Sequence, residues 1–135
     1  MSKAPSVTVD PREDLEEVLA YDIDVPTSLP HPDRSLEQTE RLCEYLAQLV
    51  EEVRAKLAHF PRESALRRRI QVTLGEADVR LTAPAARRAP VAAAARAVHT
   101  GLLVQAVLRA STELDEATAH GEHTRTARPP QRPTE

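Results

Sequence analysis

The chain has 135 residues and a formal net charge of −3, with 41% hydrophobic, 29% charged and only 2% aromatic residues. This length is typical of one domain. No segment has the pattern of a signal peptide or a run of about 20 apolar residues, which argues against export and against a membrane span. A single cysteine excludes an internal disulfide. We therefore expect a cytoplasmic protein.

Acidic and basic side chains are distributed unevenly along the chain. Residues 1–60 carry 13 acidic and 6 basic side chains, whereas residues 61–111 carry 9 basic and 3 acidic ones. We expect the two segments to fold against each other, so that their charges are complementary within the molecule. The alternative is that one segment binds a separate partner of opposite charge.

The first predicted helix spans about residues 11–20 and follows a polar stretch, residues 1–9, that we expect to be disordered. Asp10 and Pro11 are residue types favoured at the N-cap and at the first helical position. So short a helix is marginal in water and must dock to persist. Three prolines between residues 26 and 32 then predict an extended connector.

An acidic segment with regularly placed apolar residues runs through this helix and beyond it. The apolar residues that would dock are Leu15, Val18, Leu19, Tyr21 and Ile23. We expect the segment to fold over the chain's own bundle, whose third helix is basic. The alternative is that it docks into a basic groove of a partner protein.

The strongest pattern predicts a helix over residues 35–60. Ser35 followed by Gln38 forms a capping-box start. The residues at heptad positions a and d are Leu36, Thr39, Cys43, Leu46, Val50, Val53, Leu57 and Phe60. Leu42 and Leu49 widen this apolar stripe, which favours packing on two neighbours within one chain. A homodimeric coiled coil through this helix is the alternative, so both monomer and homodimer stay open.

Two further helices are predicted over about residues 62–82 and 90–114. The expected core face of the third helix is Leu66, Ile70, Leu74, Ala77 and Leu81. Gly75 is expected to allow close helix approach, and Glu76 and Arg80 to form an i,i+4 ion pair. The expected core face of the fourth helix is Val91, Ala95, Val98, Leu102 and Ala106, broadened by Leu103, Val107 and Leu108.

Together these elements predict an all-α fold. A short N-terminal docking helix and three long helices would form a small antiparallel bundle. The bundle would be a single domain over residues 10–117, and residues 118–135, which have no apolar period, are expected to form a disordered tail.

Reactive side chains do not form a recognisable catalytic pattern. No nucleophile, base and orienting acid occur together, and there is no glycine-rich phosphate motif. His99 is expected to be a partly buried helix residue, and Cys43 a small core residue rather than a reactive thiol. We therefore expect no enzyme activity, no cofactor and no metal site.

Arginines cluster in the predicted third helix and in the connector after it. They are Arg67, Arg68, Arg69, Arg87 and Arg88. Such clusters could contact nucleic-acid phosphates. The acidic net charge and the near absence of aromatic residues that could stack on bases favour instead arginines that pair internally or stay solvated.

Several segments of the chain resemble a family of small, uncharacterised helical proteins. The segments are Asp14-Leu15 with Val18-Leu19, Gly75-Glu76-Ala77 with Arg80-Leu81, and Ala94-Ala95-Arg96-Ala97-Val98. The family occurs in actinobacteria of the streptomycete type, and some members lie in mobile elements. The resemblance spans about residues 10–110. It implies a cytoplasmic accessory protein with a role in the transfer, maintenance or regulation of such an element.

The leading hypothesis is a non-enzymatic helical interaction module that binds another protein or itself. The intact heptad repeat and the lack of a reactive constellation favour it. The alternative is a DNA-associated regulator, or a transfer or maintenance factor of a mobile element, that uses the arginine clusters on phosphates.

Overall fold

The computed structural model describes residues 9–121, and within them the fold is all-α, as predicted. The helices, in chain order, are α1 (Pro11–Leu19), α2 (Pro32–Leu57), α3 (Ala65–Thr82) and α4 (Pro90–Ala119), with a 3-10 turn at Pro26–Ser28. The expectations of disorder for residues 1–8 and 122–135 lie outside the described residues. Residues 118 and 119, predicted to belong to the tail, are the last residues of α4.

Side-chain pairs along the helices define how the bundle is arranged. Asp33 and Arg88 meet beside the starts of α2 and α4, and Lys56 and Asp115 meet near their ends. These two helices therefore run in the same direction. α3 connects them and runs antiparallel to both, so the three long helices form an up-down-up bundle around one core.

The short helix α1 docks on α2 and α4, as its length required. Its N-cap is Asp10, whose carboxylate accepts a hydrogen bond from the backbone N–H of Arg12 at 2.9 Å. Val18 is fully buried, and Leu15 is nearly so. The prediction that this segment covers its own bundle is confirmed, but it packs on α2 and α4 rather than on the basic third helix.

The start of α2 differs from the prediction. The helix begins at Pro32, with His31 as N-cap; the Nδ1 atom of His31 accepts a hydrogen bond from the backbone N–H of Asp33 at 3.1 Å. Proline suits the first helical position because its missing N–H has no partner there in any helix. Ser35, predicted as the cap, is instead a buried residue inside the helix.

The buried face of α2 also turns along its length. In the second half, the predicted seam residues Leu46, Val50, Val53 and Leu57 are buried. In the first half, Ser35, Gln38 and Leu42 are buried instead, while Leu36 and Cys43 are only half-buried. A straight helix drifts by about 20° per heptad from a strict seven-residue repeat. In the first half of α2, this drift moves the buried face towards Ser35, Gln38 and Leu42, and α1 packs on this half of the helix.

The core face of α3 is confirmed at its centre, where Ile70, Leu74 and Ala77 are buried. The predicted role of Gly75 is wrong. No atom lies within 4 Å of the position where its Cβ would stand. Close helix approach occurs at Gly101 of α4 instead, where a Cβ would lie 2.9 Å from Cγ2 of Val18.

The predicted core face of α4 is wrong at its centre, although Leu103 and Val107, predicted at its edge, are buried. The helix ends at Ala119 rather than near residue 114. Val91, Ala95 and Leu102 are exposed, and Val98 and Ala106 are half-buried. The residues that face the core are mostly small: Ala93, Ala94, Ala97, Thr100, Gly101, Leu103, Val104, Val107, Ala110, Leu114 and Ala117. Because α4 is apolar on nearly every side, the spacing of its apolar residues is compatible with more than one core face. Packing selects the smaller residues, since they let three helices come close.

By length and hydropathy alone, α4 is long and apolar enough to cross a membrane, and it is the one such helix within the described residues. This property was not predicted from the sequence. However, 44% of its apolar window is buried inside the bundle. A core helix of a soluble protein has the same composition.

The two oppositely charged segments fold against each other as predicted, but within residues 9–121 few ion pairs join them: Asp33–Arg88 and Arg54–Asp78. Among the described residues, Asp33–Arg88 is the one ion pair that joins a carboxylate of residues 1–60 to an arginine of residues 61–111. Arg34 and Arg41 of the acidic segment pair with carboxylates of that same segment. Several arginines of the basic segment are therefore left for other partners.

Candidate functional site

The arginines at the start of α3 are held by groups of the same molecule. Arg67 donates a hydrogen bond from Nη1 to the backbone oxygen of Phe60. Arg68 donates to the backbone oxygen of Glu63 at 2.8 Å, and Arg69 pairs with Glu113 of α4 at 3.0 Å. All three guanidinium groups thus have an internal partner at the end of the bundle where α2 meets α3.

The second arginine pair lies at the other end of the bundle. Arg88 forms a two-pronged ion pair with Asp33, at 2.7 and 3.0 Å, and the Arg88 guanidinium holds the pKa of the Asp33 carboxyl below its ordinary value. Arg87 is exposed. Because α2 has 26 residues and spans roughly 39 Å between these ends, the structure does not bring the two arginine clusters together into one surface.

The residues predicted to dock a partner are used within the fold. Leu15 and Val18 pack against Gly101, and Leu19 packs at the edge of the core. The hydroxyl of Tyr21 donates to Oε1 of Gln38, and burial raises the pKa of Tyr21. Ile23 is half-buried. The segment is therefore part of the bundle in this structure.

The outward side of α3 carries an apolar face that the sequence inspection missed. Val72 is 65% exposed and Val79 is 68% exposed. Gly75 lies between them on the same side, with open space above it. The spacing of three and four residues from Val72 to Gly75 and from Gly75 to Val79 is typical of one helix face and could have predicted it. We call Val72, Gly75 and Val79 the α3 outer face.

A cavity of about 550 Å³ lies between the first half of α2, the end of α3, the connector after it and the start of α4. Its apolar walls include Leu36, Leu81 and three alanines of the connector. Arg80 and Arg96 also line it, as do Glu40, Cys43 and Glu44 of α2. We call it the Arg80–Arg96 cavity.

Arg80 has an unusual environment for a guanidinium group. Within residues 9–121, Arg80 does not form the predicted ion pair with Glu76. Its Nη2 lies instead 2.6 Å from Nδ1 of His99, and its Nε is buried without a hydrogen-bond partner. Burial and the positive charge of Arg96 lower the pKa of Arg80. His99, predicted to be partly buried, is classed as exposed. Partial desolvation by its neighbours, together with the charges of Arg80 and Arg96, lowers the pKa of His99.

The other two groups of the cavity have clearer roles. Arg96 donates from Nη1 to the backbone oxygen of Pro84 at 2.7 Å, which ties the connector to α4. Cys43, predicted as a core residue, is half-buried, and burial raises the pKa of its thiol. Its thiolate is therefore not stabilised, which disfavours a nucleophilic cysteine. Within residues 9–121 there is no group of three or more side chains able to hold a metal ion.

A model of the family described as Family of unknown function (DUF6415) matches residues 10–128. The chain belongs to this family. The DUF6415 match starts at Asp10, the N-cap of α1, and covers all four helices, so the whole bundle is the family's unit. The predicted membership of a family without an assigned function is confirmed. No curated protein and no solved structure matches the chain.

Proposed function

We propose that this DUF6415 protein is a non-enzymatic helical interaction module that binds through the α3 outer face, and that a second copy of the chain occupies this face. The observation that carries the proposal is the exposure of two valines, Val72 and Val79, on either side of an exposed glycine. Inside the bundle, the same helix already buries its opposite side against α2 and α4.

The composition of the α3 outer face favours a helix as its occupant. A glycine in an exposed helix interior destabilises the helix by about 1 kcal/mol relative to alanine. Among the described residues, no other part of the fold fills the space above Gly75. A second helix could use it, because the missing side chain lets two helix backbones come close while the flanking valines pack around the contact.

The spacing of the α3 outer face favours a second copy. Val72 and Val79 stand on either side of Gly75, so an antiparallel pair of α3 helices about a two-fold axis would place each Val72 near the partner's Val79. Such an isologous contact is the commonest form of protein dimer. One helix face is small compared with a standard interface, so we expect a dissociation constant in the micromolar range or weaker.

Sedimentation equilibrium from about 10 µM to 1 mM tests this pairing in the weak-affinity range. We expect a monomer–dimer equilibrium for the native chain and a monomer for Val72→Asp and for Val79→Asp. Val91→Asp is the matched control, because Val91 is also exposed but lies on α4. Glu76 stands beside the α3 outer face, so salt should strengthen the dimer by screening the two copies' carboxylates.

Two outcomes would overturn the proposed pairing. One is a native chain that stays monomeric over the whole concentration range. The other is a dimer that persists in both the Val72→Asp and the Val79→Asp variants, since the contact would then lie elsewhere. Circular dichroism of each variant checks that the bundle is still folded.

The alternative, a DNA-associated factor that uses Arg67, Arg68, Arg69, Arg87 and Arg88 on phosphates, stays a prediction. Four of these arginines have internal partners, and the clusters lie at opposite ends of the bundle, so the geometry gives it less support. A cytoplasmic location, an actinobacterial origin and a link to a mobile element are likewise inferences from the sequence and its resemblance.

A further inference from the structure

Two arginines and two glutamates line the Arg80–Arg96 cavity, but within residues 9–121 neither guanidinium group forms an ion pair. The two arginines repel each other, and Nε of Arg80 is buried without a partner. A buried donor without a partner lowers the stability of the fold. An anion in the cavity would remove this penalty.

The walls of the cavity indicate what kind of anion would fit. Leu36 and Leu81 face it together with Ala83, Ala85 and Ala86. A volume of about 550 Å³ falls within the usual range of small-molecule sites. Apolar walls and a charged end favour an organic anion over a bare inorganic one, because only the former would bury apolar surface there.

We propose that the Arg80–Arg96 cavity binds a small carboxylate with a short apolar body. Its carboxylate would accept hydrogen bonds from Arg80 and Arg96, and its apolar part would lie against the leucines and the connector alanines. Glu40 and Glu44 also line the cavity, on α2. They would repel a second negative charge, so the site selects a monocarboxylate. This inference is independent of the pairing through the α3 outer face.

Hexanoate is a suitable probe, titrated into isotope-labelled protein and followed by amide chemical shifts. We expect saturable shifts at Cys43 and at the connector alanines, with a dissociation constant of about 1–10 mM for so small a ligand. Hexanol and hexylammonium, which have the same apolar body without the negative charge, should bind at least about tenfold more weakly. Bound hexanoate should also slow the alkylation of Cys43, the chain's single cysteine.

Arg80→Met distinguishes a binding role from a structural one. It removes a guanidinium that lacks an ion-pair partner, so the ligand-free variant should unfold at the same or a higher temperature than the native chain. It should also weaken hexanoate binding at least about tenfold. Arg109→Gln is the matched control, because Arg109 is an exposed arginine of α4 outside the cavity.

The proposal fails if hexanol binds as tightly as hexanoate, or if hexanoate produces no saturable shifts at the cavity. The comparison of the ligands uses the native chain, so it stands even if a variant does not fold. Arg80→Met binding hexanoate as tightly as the native chain would also overturn it.

Discussion

Asp14 of α1 is 2% exposed, and its carboxylate accepts hydrogen bonds from both Nε and Nη2 of Arg41 of α2, at 2.7 and 3.1 Å. The carboxylate raises the pKa of Arg41. A buried carboxylate is tolerated only with such a partner. This pair therefore contributes to the docking of α1 on α2.

Replacing Arg41 by leucine should lower the free energy of unfolding by about 3 kcal/mol, because Asp14 would be left buried and unpaired. Arg34→Leu is the control. This change removes the ion pair between Arg34 and Glu17, whose side chains are 51% and 39% exposed, respectively. It should lower the free energy of unfolding by less than about 1 kcal/mol. Urea unfolding measures both. Equal losses would mean that burial of Asp14 does not control the docking of α1.

The two helix glycines should respond to alanine in opposite directions. Gly75→Ala should raise the free energy of unfolding by about 1 kcal/mol, since alanine is the better helix former and the space is open. Gly101→Ala should lower it by about 1–2 kcal/mol, because the new methyl group would press on Val18, which is buried and stiff. Thermal unfolding at low concentration, where the proposed dimer would dissociate, measures both changes. A gain in both variants would show that α1 moves away at little cost.

The free energy of unfolding should decrease as the pH is lowered through the range where His99 titrates. Burial and the charges of Arg80 and Arg96 lower its pKa below the ordinary value of 6.5. The unfolded chain therefore binds this proton at a higher pH than the folded chain does. The stability is fully present above the ordinary pKa and is lost as the pH falls from there towards the lowered value.

Urea unfolding at several values between about pH 7.5 and pH 5.5 tests this dependence. We expect His99→Gln to show a shallower loss over this range than the native chain. A direct NMR titration of His99 gives the same information. A His99 pKa above the ordinary value would contradict the repulsion by the two arginines.

DNA binding is expected to be weak. Fluorescence anisotropy with a duplex of about 30 base pairs, at low and at physiological salt, measures it. Because Arg67, Arg69 and Arg88 already have internal partners, we expect no binding at physiological salt. Tight binding that weakens steeply with salt and is reduced in Arg87→Ala and Arg88→Ala would favour the DNA-associated alternative.

The helices could be predicted from the sequence, but their faces only in part. The core face of α3 could be predicted because its leucines and its isoleucine occupy one side. The face of α4 was not, since valines and leucines such as Leu102 occur around the whole helix and the core selects alanines. The start of α2 at Pro32 was missed because a proline reads both as a break and as a first helical residue.

The candidate sites depended on contacts that sequence spacing does not contain. Arg80 could be placed one turn from Glu76, but its meeting with His99 and Arg96 requires the turn between α3 and α4. Arg67–Arg69 and Arg87–Arg88 are near in sequence and far apart in space, because the whole of α3 separates them. The spacing of the α3 valines is present in the sequence, but the structure is needed to show that they are exposed while the opposite side is buried.

The contact between Gly101 and α1 also constrains how the chain is made. α1 leaves the ribosome first, yet its docking surface is completed by α4, which is synthesised last. At about 5–20 residues per second, the ribosome needs about 4–17 seconds to reach Gly101 after Leu15 and Val18. During that interval Leu15 and Val18 have no complete site to cover them, so a nascent chain exposes them to chaperones and to other chains.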